Sequence, residues 1–162
     1  MILQKKRLLS LKSHPYWGKM FHKVPKSVML ASLLGLIPIL VGLASTFNIG
    51  LSENLKDELI RIAIIYSGFI LSFMSGCVFY VSSLDRERVF LLWFSIIPVL
   101  LALLSIAIPF MQSFVIALGF LIVLEMERKL FKIRTLPQWW LNLRFPMTSI
   151  VVFLLIFMGF RI

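Results

Sequence analysis

The chain has 162 residues, with 17 Lys and Arg against 7 Asp and Glu, for a formal net charge of +10. Apolar residues make up 60% and charged residues 15%, and mean hydropathy is +0.97, whereas a soluble domain holds about 45–50% and about 25%. A water-soluble fold is excluded, and long uninterrupted apolar blocks point instead to an all-α, polytopic membrane protein.

The charge does not imply a nucleic-acid partner, because the basic residues flank apolar blocks rather than line a soluble face. The single cysteine, Cys77, rules out an intrachain disulfide and a thiolate metal cluster.

Residues 1–27 form a basic arm holding Lys5, Lys6, Arg7, Lys12, Lys19, Lys23 and Lys26, with no acidic residue. It lacks the apolar h-region and small-residue cleavage site of a signal peptide. Trp17, Met20, Phe21 and Val24 recur at helical spacing, and Lys19, Lys23 and Lys26 fall on another face. That pattern suits an amphipathic helix lying on a membrane, where each basic group contributes about 1 kcal/mol near an anionic surface. A mitochondrial presequence shares the basic, acid-free composition and is the alternative. Trp17, Lys19 and Lys23 are the arm's candidate contacts with lipid or partner.

Residues 28–162 read as a transmembrane domain of five helices, at about 28–49, 60–81, 89–108, 110–127 and 145–160. The fourth is the weakest, since its apolar stretch from Met111 to Leu124 falls short of the ~20 residues a span needs. Charge decides in its favour. With the N-terminus inside and all five crossing, the inner segments hold the arm's seven basic residues, Arg86, Arg88, Arg128, Lys129, Lys132, Arg134 and Arg144. Only Lys56, Arg61 and Arg161 fall outside, the asymmetry expected of a cytoplasmic face. Without a fourth crossing the basic 125–144 loop would lie outside. The expected topology is N-in, C-out.

In the second span, Gly68, Ser72 and Gly76 lie at i, i+4 and i+8, a stripe of small residues suited to close helix packing. Ala31 and Gly35 form a shorter pair in the first span, so the two spans are expected to meet there. No ionisable residue accompanies the stripe, which favours packing over a substrate-lining face. Pro38 and Pro98 should bend the first and third spans.

No Asp, Glu, Lys, Arg or His falls in the central part of any block. Transporters, proton relays and channels usually keep such groups at depth, and intramembrane hydrolases need an activated nucleophile or a metal. His14 and His22 lie in the arm, and Cys77 has no basic neighbour in sequence and reads as a small apolar residue. Glu125 and Glu127 are expected to be neutralised by the adjacent Arg128 and Lys129. The run "SLDRER", Ser83 to Arg88, reads as a solvated loop. No catalytic residue, cofactor or metal is expected.

The stretch "LPQWWLNLR", Leu136 to Arg144, precedes the fifth span. Pro137 suits a first helical turn, Trp139 and Trp140 suit the headgroup level, and Arg144 can snorkel or reach phosphate. The segment reads as an anchor that sets the depth of the fifth span. Contact of Trp139, Trp140 and Arg144 with a specific lipid or partner is the alternative.

Four landmarks in order, "GLIP" (Gly35 to Pro38), "YSGFILSFMSG" (Tyr66 to Gly76), "WFSIIP" (Trp93 to Pro98) and "PQWWLNLR" followed by Thr148, resemble one family. It is the uncharacterised-domain family 3429, which includes transmembrane protein 69 and short bacterial membrane proteins. The resemblance covers roughly residues 26–160. Members typically continue the second landmark with a polar residue and an aromatic. Val78 and Phe79 stand there instead, so no polar role is expected at that site. The resemblance implies a bacterial inner membrane, or a mitochondrial inner membrane for eukaryotic relatives, and no established activity.

The expectation is a non-enzymatic accessory subunit or assembly factor of a larger inner-membrane complex, with a respiratory complex as a natural host. Its partners would be membrane lipids and other integral membrane subunits. The alternative is a small transporter or channel for a neutral or lipid-like substrate, with a site near Pro38, Ser72, Ser75 and Pro98. A membrane enzyme ranks third and would need His14 or His22 folded against a carboxylate.

Overall fold

An apolar chain in lipid must satisfy its backbone within each crossing segment, and the α-helix does this without a neighbour. The computed structural model describes residues 24–47, 50–84, 89–132, 136–137 and 139–162, and every regular element among them is helical. In chain order these are α1 (Lys26–Leu34), α2 (Ile37–Ser45), α3 (Glu53–Ser83), α4 (Val89–Phe94), α5 (Ile96–Ala107), a 3₁₀ turn (Pro109–Met111), α6 (Gln112–Lys132) and α7 (Trp140–Arg161). They make five helical segments long and apolar enough to cross a membrane: Lys26–Ser45, Glu53–Ser83, Val89–Ala107, Pro109–Lys132 and Trp140–Arg161. The short fourth block is thus a helix of 24 residues. Trp17, Lys19 and Lys23 lie outside the described residues.

Three helices run further than their apolar blocks. α3 begins at Glu53 and has 31 residues, about 46 Å at 1.5 Å per residue, against ~30 Å of hydrocarbon. Its extra turns carry the pairs Glu53–Lys56 at 3.4 Å and Glu58–Arg61 at 2.7 Å. α6 continues through Glu125 and Glu127 to Lys132, and α7 begins at Trp140 and includes Arg144. An apolar count stops at a charge, whereas a helix continues wherever charges find partners three or four residues away.

The first and third spans are interrupted just ahead of their prolines. Pro38 has no N–H for the Leu34 carbonyl and Pro98 none for that of Phe94. At the first break the chain tightens, and the Leu36 N–H donates to the Leu33 carbonyl at 3.0 Å. At the second, the Ser95 hydroxyl donates to Leu92 at 2.7 Å, and the Ser75 hydroxyl from α3 donates to the Ser95 carbonyl. A side chain of the second span thereby serves the backbone of the third where water is excluded. Pro146 lies inside α7, which continues through it.

α3 and α6 are the most buried spans. α2, α3, α6 and α7 pack in a ring, each on the next and α7 back on α2, while α4 and α5 lie against α3 and α6. Close approach at glycine is tightest at two crossings. A Cβ on Gly42 would collide with that of Ala63 and stand 3.2 Å from the Leu59 carbonyl oxygen, so α2 and α3 meet nearly backbone to backbone. A Cβ on Gly119 of α6 would overlap the Leu71 side chain. At the far end Arg161 donates to the Thr46 carbonyl at 3.2 Å and lies 4.8 Å over the Phe47 ring. A cation thus caps the end of α2 and ties it to α7.

Candidate functional site: a groove beside a buried ion pair

Residues of α6 that recur at helical spacing, Phe120, Val123, Glu127 and Leu130, are all buried. Glu127 therefore occupies a core position, and its side chain is only 2% exposed. Its partner is Arg144 in the first turns of α7, whose Nε lies 3.0 Å from both carboxylate oxygens and whose side chain is 15% exposed. Trp140 sits one turn before Arg144, with the guanidinium carbon 5.7 Å from its ring centroid. The indole N–H of Trp140 is buried and has no hydrogen-bond partner among the described residues.

This arrangement corrects one expectation and adds to two others. Glu127 is not neutralised by Arg128 or Lys129. Arg128 pairs with Glu125 at 3.0 Å on the exposed side of the helix, and Glu127 faces the opposite way. An ionisable pair is buried within the bundle, near the Trp140 end and away from the centres of the apolar blocks. Arg144 turns its Nε onto the Glu127 carboxylate. A buried carboxylate is tolerable only with such a partner.

Glu127 also helps line a groove of about 570 Å³, with Phe73, Gly76, Cys77, Tyr80 and Val81 of α3 on one wall and Leu136, Pro137 and Trp140 on the other. The Leu130 side of α6 forms part of its floor. The walls are mainly apolar, and Phe73, Gly76 and Tyr80 are exposed. Cys77 is half-buried in its wall.

The small residues of the sequence divide among different surroundings. A Cβ on Gly68 would stand 3.8 Å from that of Ala102 in α5, ordinary contact, whereas one on Gly76 would meet nothing within 4 Å among the described residues. Ser72 donates to the Gly68 carbonyl at 2.9 Å within its own helix. Ala31 is exposed, and Gly35 lies near the Tyr66 hydroxyl, which a Cβ would meet at 3.6 Å. Trp139 and Trp140 are both half-buried, with ring centroids 5.7 Å apart. Among the described residues, no group of three or more His, Cys, Asp or Glu is placed to hold a metal ion.

The buried residues of α6, the breaks before Pro38 and Pro98, and the Trp139–Arg144 segment all lie within residues 24–160, the stretch matched by the family described as Protein of unknown function (DUF3429). The chain belongs to this family. The DUF3429 match leaves out nearly all of the basic arm and takes in the five spans, the groove and the Glu127–Arg144 pair. No curated protein and no solved structure matches the chain.

Proposed function

We propose that this DUF3429 protein is a non-enzymatic accessory subunit or assembly factor of a larger inner-membrane complex, with a respiratory complex as the natural host. One observation carries the reading. Among the described residues α1 contributes no buried residue, and the packing of the first span onto α3 and α7 is carried mainly by α2. Helices gain contact energy in lipid mainly by close packing against other helices, and the first half of this span gains little of it from the other described residues.

The polar groups of the bundle support the same reading, because they serve its internal framework. Glu127 holds Arg144, Ser75 holds the break at Ser95, and Arg161 holds Thr46. No observation favours the transporter alternative: Ser72 and Ser75 are bonded to backbone carbonyls, and neither Pro38 nor Pro98 lines the groove. The basic arm with Trp17, Lys19 and Lys23, and the pair Trp139 and Trp140, would hold the protein at a bacterial cytoplasmic membrane. A mitochondrial inner membrane is the alternative. The excess of basic residues on one side supports an N-in, C-out orientation.

Extraction in mild detergent, separation on native gels and identification of co-migrating chains tests the proposal. Distinct membrane subunits in the same band are expected. A solitary monomer or homodimer would contradict it.

A further inference from the structure

We draw no further inference here: the strongest candidate, the apolar groove between α3 and the Leu136–Trp140 segment beside the Glu127–Arg144 pair, is open only among the described residues, and nothing in the structure shows what covers it.

Discussion

Replacing Arg144 with methionine strands the Glu127 carboxylate, whose side chain is 2% exposed and whose two oxygens both lie 3.0 Å from the Arg144 Nε. Unit charges about 4 Å apart attract by about 4 kcal/mol at an effective dielectric constant of about 20. Removing one member of a buried pair costs about 3–5 kcal/mol, so the two estimates agree. Proton uptake by the stranded carboxylate caps the loss. A shift of about 2–4 °C per kcal/mol then predicts an unfolding temperature lower by roughly 6–20 °C. The double variant Glu127→Leu/Arg144→Met should recover most of that loss, because an apolar pair of similar volume serves a buried site about as well. Cys77 supplies the assay: it is the only cysteine in the chain and is half-buried beside the pair, so a thiol-reactive fluorophore reports unfolding in detergent directly. A single-variant cost below about 1 kcal/mol, the value of a surface ion pair, would refute the burial of Glu127. A double variant no better than the single one would refute the pairing.

Three further outcomes follow from the packing. Gly42→Leu should separate the first and second spans and destabilise the protein by at least about 2 kcal/mol, while Gly76→Leu should leave stability nearly unchanged; equal effects in thermal melts would contradict the two placements. Ser75→Ala removes the donor to the Ser95 carbonyl and should cost about 1–3 kcal/mol, read in the same melts, with a smaller loss for Ser72→Ala, whose bond is local. Replacing Trp139 and Trp140 together with alanine should weaken membrane placement or partner docking, measured by carbonate extraction and native gels; unchanged behaviour in both would count against an interfacial role.

The five spans were legible because each depends on a property of the local sequence, an apolar run long enough to cross. Even the short fourth block could be expected as a helix, since a crossing there would gather the flanking basic residues on one face. The helix ends were less legible. Glu53 to Leu59, Arg128 to Lys132 and Trp140 to Arg144 are polar or mixed, yet helical, because side-chain pairs at i, i+3 and the Glu127–Arg144 contact carry the charges.

The buried pair escaped local reasoning because its members are separated by 17 residues and a nearer partner was in view for each acidic residue. A signal was nonetheless present. Glu127 interrupts the spacing of Phe120, Val123 and Leu130, and Arg144 that of Thr148, Val151 and Leu155, so both charges fall on faces destined for the core. Which small residue makes a helix crossing was not legible. Gly35, Gly42, Gly68 and Gly76 offer the same freedom in sequence, and only the path of the neighbouring helix brings Ala63 onto Gly42, while no described residue comes within 4 Å of a Cβ on Gly76.

Native mass spectrometry of particles ejected directly from membrane vesicles tests the central claim most directly, since no detergent intervenes to strip weakly held chains. The accessory role predicts that the 18.7 kDa chain is found in particles with other integral membrane subunits at fixed stoichiometry. Particles containing only this chain, alone or in multiples with bound lipid, would contradict it.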